Sequence, residues 1–235
     1  SILLQTFPHE IFLYKSKIIL YISCGWYSDE TVPCLIFYSY CLIMKPEAPL
    51  CAGFLGKEGG IINSKNLSIG FIGACRVGCT LGRAFFVKKL HISGYLSNTY
   101  EHACEAADFT QSKPCKTIRE LAEISDVIFI TVPDSCICEV YLQLRKSDQL
   151  KDKILCHCSG ALSAGIFKDI EAAGAWGFSV HPAFAVNDKE NSYKEISKAF
   201  FTVEGSSEKM PVIENILKTM GNPYQIIEAE SKQKY

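Results

Sequence analysis

The sequence predicts an α/β fold, a doubly wound and mostly parallel sheet with helices on both faces. From Asn66 onward, short β-rich runs alternate with helical patterns, the signature of a parallel sheet covered on two sides. Asp126–Val132, DVIFITV, carries a continuous apolar run broken only by Thr131, as a central strand buried on both faces requires. Ile69–Gly82, IGFIGACRVGCTLG, runs from a strand into a helix through closely spaced glycines.

Each element has its own signal. Leu67–Gly73 reads as the first strand and Arg76–Leu90 as a helix, with Val77, Leu81, Ala84 and Phe85 on one stripe. His91–Ser97 is a second strand and Thr99–Ala107 a short helix. T-I-R-E at Thr117 is a capping box, in which Glu120 reaches back to the Thr117 amide and opens a helix. Pro133 ends the central strand, and Asp134 is placed to cap the helix behind it. Lys153–Cys158 is the next strand, Ser163–Ala173 a helix closed by Gly174, and Ala175–Val180 a strand that runs into His181 and Pro182. Ala199–Val203, Ser207–Met220 before Gly221, and Pro223–Ile227 add a strand, a helix and a strand. Glu230–Tyr235 reads as the opening of another helix.

Composition narrows the function. With 235 residues and 48% hydrophobic content the chain can bury a substantial core. Its 24 Lys and Arg against 25 Asp and Glu leave no basic excess, so nucleic acid is not an expected partner. Twelve cysteines are scattered through patterned segments that need no stapling, so they read as reduced thiols in a cytoplasm. The pairs Cys136/Cys138 and Cys156/Cys158 lack the wider spacing of structural zinc knuckles, and small buried hydrophobes are the expectation there; no metal is assigned.

The first 65 residues differ in texture. Ile11–Ile22, interrupted by Lys15 and Lys17, and Cys34–Met44 are apolar but shorter than the roughly 18 residues of a membrane helix. No clean period of 2 or 3.6 precedes Asn66, and residues 1–65 are expected to form an unassigned extension or to lie outside the functional protein.

The glycine stretch carries the cofactor expectation. In a Rossmann-type turn three glycines separately allow the tight turn, the approach of backbone to a pyrophosphate, and close helix–strand packing. Gly73 and Gly78 take the first and third places, while Cys75 takes the second and projects its Cβ and sulfur toward the phosphates. The amides of Ala74, Cys75, Arg76 and Val77 and the helix N-terminus remain available. About 20 residues on, where an NAD site places an acid, the chain has Ser97-Asn98-Thr99; with Arg76 this suits a 2′-phosphate and favours NADP over NAD. A thiol at a helix N-terminus is also open to oxidation, although simple replacement of glycine by a small residue is the expected account of Cys75.

IGFIGACRVG, SDVIFITVPDSCI, HCSGALSA, GFSVHPAFAV and AFFTVEG occur in that order. Together they resemble a bacterial family that joins a Rossmann-like domain to a C-terminal domain of unknown function, number 2520. That family is similar to the 6-phosphogluconate dehydrogenase and pyrroline-5-carboxylate reductase group of NAD(P)-dependent enzymes. The resemblance covers residues 66–235. It implies a dinucleotide-binding domain over 66–180 and, over 181–235, the beginning of a helical domain that the chain leaves incomplete. The family pattern has glycine at position 75 and often arginine at position 98. ESKQKY resembles the first turn of the helical domain, with Lys232 and Tyr235 matching and Ser231 in place of an acid. A homodimer through that helical domain is part of what the resemblance implies.

Candidate catalytic residues follow from the rule that ligands of open α/β sheets bind beyond the carboxyl ends of the strands. His181 and His157 stand at such ends, and either imidazole could move the proton that accompanies hydride transfer; His181 is the first choice. Ser159-Gly160 resembles the Ser-Gly substrate-contact turn of related dehydrogenases, with a helix-entry turn as its alternative. Val132 and Pro133 are expected to line the nicotinamide or ribose side. No lysine in the folded part stands out as catalytic, and His9, His91 and His102 are expected to be surface or packing residues. The expected function is an NAD(P)-dependent oxidoreductase acting on a small carbonyl or imine substrate, without nucleic acid or membrane. A non-catalytic dinucleotide-sensing module and an inactive fragment are the alternatives.

Overall fold

The computed structural model describes residues 12–14, 17–19, 67–186, 188 and 191–232. The chain divides into two units, Ser1–Glu58 and Gly59–Tyr235. Of the first, the described residues form a short antiparallel pair, β1 (Phe12–Tyr14) with β2 (Lys17–Ile19). The expectations for Cys34–Met44, His9 and Tyr235, and for the remainder of the 1–65 extension, lie outside the described residues.

The second unit is built on one eight-stranded sheet. Its elements in chain order are β3 (Ser68–Ile72), α1 (Arg76–Val87), β4 (His91–Leu96), α2 (Tyr100–Thr110), β5 (Lys113–Cys115), α3 (Ile118–Glu123), β6 (Val127–Ile130) and α4 (Asp134–Lys146). There follow β7 (Ile154–His157), β8 (Trp176–Ala183), α5 (Ser192–Glu195), β9 (Phe200–Gly205), α6 (Met210–Met220), β10 (Tyr224–Ile226) and α7 (Ala229–Lys232). The strand order is β10-β9-β8-β7-β6-β3-β4-β5. From β5 to β8 all neighbours are parallel, and the order reverses direction between β3 and β6, which opens the crevice where such sheets bind ligands. This is the predicted mostly parallel α/β fold.

Alternation along the strands feeds two cores. Ile69, Phe71, Val127, Phe129, Cys156 and Phe178 face one side with α1, α2 and α6. Ile72, Ile128, Ile130 and Leu155 face the other, against Leu121, Ile137 and Tyr141 of α3 and α4. Phe71 stacks on Tyr95 and Phe129, with ring centroids 5.1 and 5.5 Å apart, in the middle of the first core.

The differences from the sequence reading have physical causes. Residues 163–173 form two 3-10 turns, Ala164–Ile166 and Glu171–Ala173, in place of a helix. Asp169 between them has φ 56°, a left-handed conformation that a continuous helix excludes. Lys113–Cys115 is a strand that its Pro114 concealed; proline is tolerated because β5 is the sheet edge. β8 continues through His181 and Pro182 to Ala183, because β9 pairs antiparallel along its full length. At Thr117 the side chain caps Glu120, as expected, but the Glu120 carboxylate takes the amide of Lys116 at 2.9 Å, not that of Thr117. Cys136 and Cys138 fall on α4, where side chains two apart diverge. The eight described cysteines are all free thiols. Among the described residues no helix is long and apolar enough to cross a membrane.

Gly82 of α1 faces Tyr95, and a Cβ there would run into the tyrosine hydroxyl and ring. Gly82→Ala should therefore lower stability by about 1–3 kcal/mol through overpacking, although alanine gains about 1 kcal/mol of helix propensity. Urea unfolding checks this; a variant at least as stable as the parent would show that the helix can lift off the sheet at no cost.

Candidate functional site

The carboxyl edge of the parallel strands brings two clusters of polar groups together, and the first is the glycine turn. Gly73 has φ 107°, and a Cβ on it would lie 2.6 Å from the Thr131 carbonyl oxygen. Gly78 admits no Cβ either, because Gly73 O and the Thr131 hydroxyl occupy that place. The turn is pinned from both sides: Gly73 N–H donates to Leu96 O at 2.8 Å, and the Thr131 hydroxyl donates to Gly73 O at 2.8 Å. The start of α1 thus packs as closely on the sheet as backbone allows.

Cys75 is the N-cap of α1, extended at φ −80°, and its side chain caps no amide. Its thiol instead donates to the Thr131 carbonyl at 2.8 Å. The sulfur is turned onto the end of β6, a different course from the one the sequence suggested. The first bond of the helix runs from Cys79 N–H to Cys75 O, so the amides of Arg76, Val77 and Gly78 have no carbonyl partner within the helix. Ala74 is buried, Arg76 is exposed and Val77 half-buried. Ser97 and Asn98 follow β4 next to this turn, half-buried and exposed; Val132 and Pro133 follow β6, likewise half-buried and exposed.

The second cluster is a polar row across three strands. Parallel register pairs His157 of β7 with Ser179 of β8, and antiparallel register pairs Ser179 with Glu204 of β9. All three are buried, at 0%, 0% and 8% exposure, in a sheet whose buried residues are mostly apolar. Above the row lies the segment 159–164, whose backbone groups satisfy it. The Glu204 carboxylate accepts the Ala164 amide at 2.6 Å, and the Ser179 hydroxyl donates to Ser159 O at 3.4 Å. His157 Nε2 lies 3.2 Å from Ser163 O; a carbonyl only accepts, so Nε2 carries the proton and Nδ1 is the acceptor of the Ser159 amide at 3.3 Å.

Ser159 is equally committed. Its hydroxyl donates to Asp134 Oδ2 at 2.6 Å and accepts the amides of Ala161 and Leu162 at 3.2 and 3.1 Å. Asp134 is therefore not a helix cap: Pro133 holds the cap position, and the carboxylate ties the β6–α4 turn to the β7 loop. Lys232, from α7, enters this cluster with 2% exposure. Its ammonium donates to Ser159 O at 3.0 Å, to Leu162 O at 3.2 Å and to the Ser179 hydroxyl, so its three N–H groups have three acceptors. The folded part thus does present a lysine, from a segment whose only sequence signal was the short ESKQKY resemblance. Ser179 and Glu204 announced themselves only as polar residues at inward strand positions.

His181 differs from its neighbours. Its Nδ1 donates to Cys158 O at 3.0 Å, which fixes the proton there. Its Nε2 makes no hydrogen bond among the described residues and stands against Gly160, where a Cβ would come within 2.9 Å. Burial, with the positive charge of Lys232, holds the imidazole below its ordinary pKa despite the Cys158 carbonyl and Asp134. Burial likewise lowers Lys232, against the opposing charges of Glu204 and Asp134. Among the described residues no group of three His, Cys, Asp or Glu side chains is placed to hold a metal ion. His91 and His102 are exposed.

His157 makes the cluster sensitive to acid. Burial brings its pKa down to about 4, so between that value and the ordinary one near 6.5 the unfolded chain binds the proton and the folded chain does not. Stability is full above about pH 6.5 and falls as the pH drops toward 4, by at most about 3 kcal/mol from this group. Urea unfolding at pH 7.5 and 4.5 should show a smaller acid loss in His157→Gln than in the parent; equal losses would place the acid sensitivity elsewhere.

Comparison with known proteins agrees with this architecture. The Rossmann-like domain family matches residues 55–182. A Bacteroides fragilis protein described as an NADP oxidoreductase shares 17% identity at a TM-score of 0.65, over 73% of this chain and 64% of that one. A Thermotoga maritima protein shares 27% identity at a TM-score of 0.53, over 71% and 60% of the two chains. An imine reductase of Myxococcus stipitatus, in complex with NADP+, shares 15% identity at a TM-score of 0.58, over 71% and 57%. The chain spans less than two thirds of the length of each of these structures. No curated protein matches it.

Proposed function

The chain belongs to the Rossmann-like domain family, and from that premise we propose that it is an NAD(P)-dependent oxidoreductase acting on a small carbonyl or imine substrate. The finer kinship, with the bacterial family carrying the C-terminal domain of unknown function 2520, is part of the same proposal. So are a cytoplasmic location, a homodimer, and a division into an extension over 1–65, a dinucleotide domain over 66–180 and the start of a second domain over 181–235. The observation that carries the reading is His181: an imidazole at the carboxyl end of the sheet, oriented through Nδ1 and open at Nε2.

The residues of the glycine turn suit a pyrophosphate. First-turn amides without a side-chain cap, and a Cys75 thiol turned aside onto Thr131, leave donors for an anion. Ala74, Cys75, Arg76 and Val77 complete that turn; Ser97 and Asn98 would meet the adenosine ribose, and Val132 and Pro133 would line the nicotinamide side. A bound nicotinamide dinucleotide supplies the hydride donor or acceptor.

His181 Nε2 takes up a proton when a substrate hydroxyl or amine is oxidised, and returns it when a carbonyl or imine is reduced. Because the imidazole is held neutral, its resting form suits proton acceptance. Ser159 and His157 stay in the proposed site as the groups that fix the 159–164 turn beside the reacting atoms. A dinucleotide-sensing module without turnover is the second reading, favoured by the full engagement of Ser159, His157 and Lys232 with protein groups.

Titration of NADPH and NADH, followed by fluorescence, tests the cofactor; failure of both to bind at millimolar concentration would sink the proposal. Cys75→Gly should change the affinity by less than about threefold, since the thiol already rests on Thr131. With a panel of keto acids and cyclic imines, His181→Gln should lower turnover roughly a hundredfold or more while leaving dinucleotide affinity unchanged. Oxidation should hold its rate through neutral pH and fall only below the ordinary histidine range, as Nε2 becomes protonated, whereas reduction should speed up over that same fall. Dinucleotide binding with no turnover of any panel member would favour the sensing module.

A further inference from the structure

We propose that Lys116 is the residue by which this site distinguishes NADP(H) from NAD(H), its ammonium meeting the 2′-phosphate of the adenosine half. The inference rests on the dinucleotide reading above and names a residue that the glycine-turn motif does not include. β4 and β5 are parallel, and their register pairs Leu96 with Cys115. The residues that follow these two strand ends are Ser97 and Lys116, so the lysine leaves β5 beside the start of the loop Ser97-Asn98-Thr99. That loop carries no Asp or Glu to accept ribose hydroxyls, the feature that would select the unphosphorylated cofactor.

Three local observations converge on this position. The Lys116 ammonium stands 5.2 Å from the centre of the Tyr100 ring, which draws the charge across to the first residue of α2. Tyr100 is 38% exposed, so the ring and the ammonium over it both reach the surface that borders the proposed adenosine site. Thr99, the N-cap of α2, makes no side-chain cap bond, so the first amides of an eleven-residue helix lack that partner on the same side. Lys116 forms no ion pair among the described residues. Glu120, in the first turn of α3, has Oε2 engaged by the Lys116 amide.

A charge-assisted bond from an ammonium to a phosphate dianion strengthens binding of the phosphorylated cofactor and does nothing for the other. NADPH and NADH are therefore titrated separately against the parent, Lys116→Gln, Lys116→Glu and Arg76→Gln by fluorescence, with 2′,5′-ADP as a competitor. The parent should prefer NADPH. Lys116→Gln should weaken NADPH and 2′,5′-ADP about tenfold or more and leave NADH unchanged, and Lys116→Glu should bring NADH level with NADPH or ahead of it. NADPH and NADH both binding, with a ratio that Lys116→Gln does not alter, would overturn the inference while leaving the dinucleotide reading intact. A ratio that responds to Arg76→Gln alone would overturn it in favour of the helix α1 arginine. If neither cofactor binds the parent, the functional reading itself fails. Unfolding midpoints of the exposed-site variants, expected to match the parent, separate loss of recognition from loss of fold.

Discussion

The buried row His157, Ser179 and Glu204, with Lys232 laid over it, is the constraint on which the second half of the molecule depends. Polar groups removed from water cost several kcal/mol unless they are bonded, so the row obliges the backbone above it to adopt one conformation. The segment 159–164 meets that obligation with the carbonyls of Ser159, Leu162 and Ser163 and the amides of Ser159 and Ala164. This holds the segment in an irregular turn ahead of the 3-10 turn Ala164–Ile166. Helical carbonyls would point along an axis, whereas these must point down into the sheet.

The glycine turn obeys the opposite logic. There the backbone approaches without side chains, and the donors at the start of α1 are left over. One part of the carboxyl edge is saturated and fixed, and the other keeps donors in reserve. His181 stands with the saturated part yet retains one ring nitrogen, which is why a protein whose other site histidine is fully bonded can still offer an imidazole to a ligand.

Sequence periodicity disclosed the layers well, because strands buried on both faces and amphipathic helices leave repeating apolar signals. β3, α1, β6 and α6 stand where alternation and stripe placed them. β5 did not, since three residues containing a proline carry no period. The site was legible in outline only. Gly73, Gly78, His181 and Ser159 lie in short motifs whose spacing encodes local backbone shape. Asp134, Ser179, Glu204 and Lys232 act through partners 20 to 73 residues away, and such pairings exist only after the strands have taken their register. Cys75 belongs between these cases: the sequence located it correctly, but only the fold revealed that its sulfur turns toward Thr131.

The reversal of chain direction at β9 separates two kinds of specification. Every strand from β5 to β8 is held by the same parallel winding, so the half that carries the glycine turn inherits its geometry from the architecture as a whole. The pairings of Ser179 with Glu204 and of His181 with Thr202 depend instead on a single antiparallel ladder. A slip of two residues along that ladder would keep every apolar side chain on its own face and leave the glycine turn untouched. It would nevertheless dissolve the charged arrangement beneath segment 159–164. Tolerance to sequence drift therefore takes two forms across this sheet: the cradle of the parallel part rests on single glycines whose places its own atoms fill, while the His181 edge is tied to the alignment of two strands.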